Sequence, residues 1–524
     1  MADLFVILPG EAQPSAGAAE VGNKAWNLMR LTAAGLAVPP AFVLPTDWCR
    51  RDHSKLRATL EAGIGRLEAA TGLGFGSSRR PLLVSVRSGA PMSMPGMLET
   101  VLDVGIGPAS LEGLLRLTGN PRLAWDSYRR LVQNYAEVVA GLPAAPFEAL
   151  LSAAVTAERV ASERELDYRA LRSLTRAMLE RYAELADAAF PTDPMEQLTQ
   201  AVAAVFHSWD APKAATYRRL NGLSDTVGTA VTVQTMVFGN AGGASGAGVG
   251  FTRDPATGTP ELYFDFCFNG QGEDVVAGRR TLTDSNRLGR LLPAVYADLQ
   301  GARTKLERVF RDTQDFEFTV QDGRLWLLQT RSAKRTPWAA LRIAVDMVQE
   351  GLITSDEALQ RLDGVALDAV VRTRFGEPMP SPLAHATVAS PGVAAGAIAL
   401  DVAAAERLAQ QGKPSILVRP ETATADIAGM AHAAGILTAA GSRTAHAAVV
   451  ARQLGKVCLI GCPELTIDLT RRSCQFGSET LAEGDVISLD GNSGAIYLGR
   501  LSVLQERPER ELAAIASWGQ ATAA

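Results

Sequence analysis

Residues Thr313 to Arg331, TQDFEFTVQDGRLWLLQTR, alternate apolar and polar side chains on both sides of Asp322-Gly323. Period-two alternation interrupted by Asp-Gly predicts a β-hairpin, because that dipeptide tolerates the positive φ angles a tight turn needs. Pairing across the turn predicts Phe316, Phe318, Val320, Trp326 and Leu328 on one face. Asp315, Glu317, Gln329 and Arg331 fall on the other, with Asp315 about opposite Gln329. Two carboxylates and an amide oxygen grouped in this way suit a hard cation such as Mg2+, bound jointly with nucleotide phosphates. Arg331 would reach the same phosphates with two parallel hydrogen bonds. A half-buried hairpin with a solvated polar face produces the same alternation, so the hairpin alone decides nothing.

Two further segments bear on the choice. SVRSGAPMSMPG places Arg87 after the apolar run PLLVSV, at the mouth of a Gly/Ser-rich loop. Such a run predicts a strand covered on both faces, and the N–H groups of such a loop can cradle an anion. FGNAGGASGAGVGFTRDP is a second Gly-rich stretch, after the strand pattern TAVTVQTMV. Neither fits the P-loop spacing. Lys24, in VGNKAWNL, stands near the start of a helical pattern that stops at Gly35 and could neutralise a phosphate.

The run ILTAAGSRTAHAAVVARQLGKVCLIG reads strand, turn, helix, strand. His446 falls at or near the N-terminus of the helix HAAVVARQL, with Thr444 placed to cap it or orient the ring. The positive end of a helix stabilises a bound phosphate and favours the neutral imidazole, which is the nucleophilic form. His53, His207, His385 and His432 lie in ordinary surroundings. The five cysteines show no ligand spacing for a metal and read as reduced, buried thiols.

A chain of 524 residues predicts two or three domains. The expected organisation is α/β and α+β multidomain. Residues 1–336 form a nucleotide-binding domain with a helical subdomain at about 110–205. A helix and Pro-rich linker occupy 337–386, a strand–helix domain 387–500, and a loosely held helical tail 501–524. The net charge of -5 and the absence of a basic tract argue against nucleic-acid binding. No apolar stretch approaches the roughly 18 residues that span a bilayer, and the N-terminus does not read as a secretory signal, so the expected location is cytoplasmic.

Taken in order, VGNKAWNLMRLTAAGLAVPPAF, LLVSVRSGAPMSMPGMLETVL, NPRLAWDSYRR, GTAVTVQTMVFGN, GQGEDVVAG, DFEFTV with LLQTR, KRTPWAALRIAVDMVQEGLIT, ILVRPETATADIAGM and TAHAAVVAR resemble the pyruvate, phosphate dikinase family. The resemblance implies an ATP-grasp domain followed by a swivelling β/β/α phosphohistidine domain. It implies that Lys24, Arg87 and Arg331 bind phosphate. Asp315, Glu317 and Gln329 would form the metal and phosphate group, and Glu273 a nucleotide-site acid. Gln234, Met236 and Val237 would border the adenine. His446 would be the phosphorylated histidine, with Arg87 and Arg331 assisting catalysis.

ATP would be the substrate, Mg2+ the cofactor and inorganic phosphate the second reactant, giving AMP and pyrophosphate. Only about 25 residues follow Gly499, against the 250 or so of the family's acceptor-binding barrel. The expectation is an acceptor, pyruvate or another small molecule, held by a separate subunit. A non-catalytic nucleotide-sensing module is the contrasting expectation. Around the histidine, GSRTAH replaces the family's GGMTSH, which adds the charge of Arg443.

Overall fold

A computed structural model describes residues 3–92, 94, 97–220, 222–224, 227–272, 285–421, 427–441, 450–451 and 454–521. The chain divides into two compact units, residues 1–241 with 326–331, and residues 242–325 with 332–524.

The first unit is built on a five-stranded antiparallel sheet. Its strands run in the order Phe5–Ile7, Ala41–Leu44, Ala230–Thr235, Val84–Gly89, Thr100–Val104. Alternation sorts the side chains. Phe42, Leu44, Val84, Val86, Val231 and Val233 are fully buried in the main core. Ser85, Arg87, Thr232 and Gln234 occupy the alternate positions, paired in register. The Val84–Gly89 strand is buried throughout except at Arg87, as its uninterrupted apolar run predicts. Helices fill 108–118, 121–138, 145–158, 168–186 and 194–207, in keeping with the predicted helical stretch.

Strand Thr100–Val104 carries a bulge, and within it Asp103 is left-handed at φ 59. Aspartate tolerates that conformation better than most residues. The Asp103 side chain is fully buried, and among the described residues neither carboxyl oxygen has a hydrogen-bond partner. Burial pushes it up to about 7, against the pull of Arg130. The neighbouring Asp126 also loses hydration, but Arg130 and Arg129 outweigh that and hold it well below the usual carboxylate range. Arg129 and Arg130 reach Asp126 at 2.9 and 3.1 Å, and both approach Glu163. The run NPRLAWDSYRR is thus a helix whose charged residues form a buried network.

Asp103 ties stability to pH. Its folded pKa lies above the unfolded value of 3.8, so folding retains a proton that the unfolded chain has released. The contribution is complete below about pH 4 and is lost as pH rises through about 7. Asp103→Asn should remove roughly 2–3 kcal/mol of pH dependence between pH 5 and 8. Denaturant unfolding at the two pH values checks this; an unchanged slope would exclude the assignment.

The second unit begins with strands Gly246–Phe251, Tyr263–Phe268 and Gln314–Gln321, paired antiparallel with Gly246–Phe251 in the middle. Gly246, Gly248 and Gly250 are not a phosphate-cradling loop. They alternate along this strand, and a Cβ on them would stand 2.2, 2.3 and 2.6 Å from the rings of Phe266, Phe318 and Phe316. The glycines make room for three aromatic rings on one face. Asp322 and Gly323 form the predicted turn, at φ 51 and 77.

Arg253 joins this sheet to its helices. Its buried guanidinium bonds to Glu307 at 3.0 and 2.9 Å and to Glu350 at 2.6 Å. Helices Pro337–Gln349 and Ser355–Arg361 follow.

Next comes an eight-stranded mixed sheet with a parallel centre, Val393–Ala399, Ser415–Arg419, Gly435–Thr438 and Val457–Ile460. The predicted strands ILTA and VCLIG are therefore both present, and helix Val402–Gln410 packs on their neighbours Val393–Ala399 and Ser415–Arg419. The last residues differ from the expected loose tail. Val503–Glu506 pairs with Arg372–Phe375, and helix Glu509–Ala521 packs Ile515 into the core of the 337–361 helices. Apolar positions spaced along that helix are what anchor it. Among the described residues no helix is long and apolar enough to cross a membrane.

Candidate functional site

In the first unit the helix of Lys24 and the strand of Arg87 meet in one close approach of main chains. Gly22 breaks the helix Ala18–Ala33 with φ 76 and ψ 155, so the regular turns carrying Lys24 begin just after it. Asn23 N–H donates to the Ala90 carbonyl at 3.0 Å. A Cβ on Gly22 would stand 1.8 Å from the Gly89 carbonyl oxygen, and one on Gly89 would lie 3.7 Å from Lys24 Cβ. The helix start carrying Lys24 is thereby pressed onto the end of the strand that carries Arg87. Both side chains are half-buried.

The segment 326–331 is held to the same helix. Asn27 Nδ2 donates to the Thr330 carbonyl at 2.8 Å, and Leu327 N–H donates to the Ala37 carbonyl at 2.8 Å. Thr330 separates Gln329 from Arg331, so both flank that anchor, half-buried. Burial here departs from the expected pattern. Leu325, Leu327 and Thr330 are buried, while Trp326 and Leu328 are half-buried. The main chain of this stretch is also bonded, to the Asn27 side chain and the Ala37 carbonyl.

Gln234 is buried, pairs with Ala41 and Ser85, and donates from Nε2 to the Pro39 carbonyl at 3.3 Å. Its amide thus also braces the turn that follows the Lys24 helix. Met236 continues the strand edge through its N–H to the Leu83 carbonyl at 2.9 Å. Met236 and Val237 are half-buried.

In the second unit, Asp315 and Glu317 are two residues apart on strand Gln314–Gln321, so they share a face. Asp315 is buried and Glu317 half-buried. Their rows across the sheet are Asp315–Phe251–Tyr263 and Glu317–Val249–Asp265. Asp265 therefore stands on the same face as both. The sequence reading missed it; the signal was the alternation in YFDFCF, which places one acid among aromatic residues of opposite parity.

An all-oxygen donor pair on a rigid strand fits Mg2+ with phosphate oxygens completing the shell. Among the described residues no group of three or more His, Cys, Asp or Glu side chains is arranged to hold a metal alone. Asp315 and Glu317 would hold the ion, which would offset phosphate charge. Glu273, Thr444 and His446 lie outside the described residues. Cys267, Cys458, Cys462 and Cys474 are buried free thiols, as expected, and Cys49 is half-buried.

Residues 52–292 match the AMP/ATP-binding domain of pyruvate phosphate dikinase, and residues 411–494 match the mobile domain of PEP-utilising enzymes. Pyruvate, phosphate dikinase of Clostridium symbiosum is 42% identical over 513 residues, covering 95% of this chain and 58% of that protein. The Rhizobium meliloti (strain 1021) enzyme is 41% identical over 543 residues, covering 98% and 60%. The chloroplastic pyruvate, phosphate dikinase 1 of Arabidopsis thaliana is 40% identical over 511 residues, covering 96% and 53%. The chain spans a little over half the length of these curated relatives. With both domain models matched in order and the identity continuous across them, the chain belongs to the pyruvate, phosphate dikinase family.

Proposed function

We propose that this chain carries out the ATP-dependent half of a dikinase cycle. His446 attacks the β-phosphorus of ATP; a nitrogen–phosphorus bond forms, the α–β bridging bond breaks, and AMP leaves. Inorganic phosphate then attacks the γ-phosphorus and departs as pyrophosphate, leaving one phosphoryl group on His446. Lys24, Arg87 and Arg331 offset charge on the phosphates, and Asp315, Glu317 and Gln329 serve the Mg2+-bound nucleotide. Glu273 and the Gln234–Val237 edge hold the nucleoside.

The observation that supports this reading is the charge grouped within each unit. One unit presses Lys24 against the Arg87 strand, and the other sets Asp315 and Glu317 on one sheet face. Taken unit by unit, the cations suit phosphate and the acids suit Mg2+, and neither group suits a neutral ligand. A passive nucleotide sensor would have less use for a second domain of the mobile class.

The test uses ATP labelled at the β or the γ position, with inorganic phosphate. The β label should stay on the protein in acid-labile form, and the γ label should appear in pyrophosphate. Release of the γ label as phosphate would mean that water is the second acceptor. Absence of protein-bound β label would overturn the proposal.

We propose further that the final acceptor, pyruvate in the relatives by their name, is bound by a separate subunit. Pyruvate alone should then leave the label in place; its rapid discharge would place the acceptor site on this chain. Glu317→Gln should raise the Mg2+ concentration needed for labelling about tenfold or more. A Mg2+ titration of the labelling rate checks this, and an unaltered midpoint would remove Glu317 from the metal group.

A further inference from the structure

The Pro-rich segment 376–383 is where composition alone would put a swivel. The contacts place it elsewhere. Gly376 N–H donates to the Ser502 carbonyl at 3.0 Å and Leu383 N–H to the Ile496 carbonyl at 2.7 Å. Met379 packs against Phe375 and Tyr497, whose rings meet edge to face at 6.2 Å. The segment is therefore part of the strand–helix domain rather than a tether to it.

The chain enters and leaves this domain through one antiparallel ribbon. Arg372, Thr373, Arg374 and Phe375 pair with Glu506, Gln505, Leu504 and Val503. Most of the ribbon is fixed to the domain. Val393 N–H donates to Thr373 Oγ1 at 3.0 Å, and Asn492 Nδ2 donates to the Thr373 carbonyl at 3.0 Å.

Its root is fixed on the opposite side. Val370 is buried in the core of the 337–361 helices together with Ile515 of the last helix. Arg510 of that helix approaches Asp346 at 3.6 Å. Between Val370 and Thr373 lie two residues, and one of them, Val371, is 42% exposed. On the return strand the corresponding boundary lies between Gln505 and Pro508, where Leu512 N–H closes the first turn of the last helix.

We infer that the hinge of the mobile domain crosses the chain at Val371–Arg372 and Glu506–Arg507, with Arg372 as the pin that sets its resting orientation. This rests on the reading that the domain moves at all. Arg372 stands at the crossing and touches both the return strand and the helix behind it. Its Nε donates to Glu506 at 2.9 Å across the ribbon, and its guanidinium lies 4.4 Å over the Trp338 ring of the static helix. A planar guanidinium that both ion-pairs and stacks fixes an angle, which an ammonium group would not. Because two strands cross together, the domain turns about a line and not freely about a point. A few residues at the ends of such elements absorb the backbone change.

The experiment places spin labels at Lys305→Cys and Glu479→Cys, both exposed positions, in the full chain carrying Cys49→Ser. Pulsed distance measurement then compares Arg372→Ala with the pair Pro380→Gly and Pro382→Gly. The first should widen the distance distribution roughly twofold or more, and the second should leave it at the parental width. Arg372→Lys should widen it less than alanine does. Widening by the proline pair, or none with Arg372→Ala, overturns the inference. Melting temperatures identify a variant that has merely unfolded, and in that event Arg372→Lys supplies the comparison. The readout needs no phosphoryl transfer, so it stays informative if His446 is never labelled.

Discussion

Retention of the β label is expected to fall to background when His446 is replaced by alanine. The proposed half-reaction needs a neutral nitrogen nucleophile that leaves the nucleotide with phosphate attached. The other two histidines of the strand–helix domain, His385 and His432, are exposed. His385→Ala and His432→Ala should therefore label at the parental rate. The run from Gly435 to Ile460 supplies the physical reason for choosing His446. Two parallel strands, Gly435–Thr438 and Val457–Ile460, flank it in the sequence. The run itself reads strand, turn, helix, strand, which predicts a helix start near His446, and free N–H groups at such a start favour a phosphoryl group. Label at equal stoichiometry on His446→Ala would end the proposal, whatever the nucleotide site does.

The second large effect concerns folding and binding together. Gly22→Ala should destabilise the first unit by about 3 kcal/mol or more. Two costs add. The backbone at φ 76 and ψ 155 is open almost only to glycine, and the new Cβ would stand 1.8 Å from the Gly89 carbonyl oxygen. Relief requires the Lys24 helix to part from the Arg87 strand, so ATP affinity should fall at least about tenfold. Gly35→Ala is the control: its φ is also positive, at 69, but nothing lies within 4 Å of the added carbon. That change should cost about 1 kcal/mol and leave affinity alone. Thermal unfolding with and without ATP reads both quantities. A Gly22→Ala chain that melts and binds like the parent would show that the two elements do not need their contact.

Much of this architecture was legible because it follows short-range periodicity. The Asp322-Gly323 turn, the covered Val84–Gly89 strand and the shared face of Asp315 and Glu317 all follow from alternation and turn chemistry. What escaped depends on partners distant in sequence. Gly22 reads as an ordinary helix residue until Gly89 is placed against it. Gly246, Gly248 and Gly250 read only as part of a Gly-rich stretch until Phe266, Phe316 and Phe318 claim the space above them. The pairing of Arg372–Phe375 with Val503–Glu506 joins segments about 130 residues apart, and no local pattern announces it. Asp265 was hidden for a different reason: its aromatic neighbours drew attention to the core and away from the one acid of opposite parity.

The interleaving of glycine and phenylalanine has a consequence for how this chain can change over time. Phe316 and Phe318 each sit directly across from a glycine, at 250 and 248. A drift at either ring toward leucine would open a void, and a drift at either glycine toward alanine would force a collision. Neither step is tolerable first without loss, whereas the two together conserve volume. These positions should therefore be exchanged as couples across the descent of the family, independently of the acids on the reverse side of the sheet.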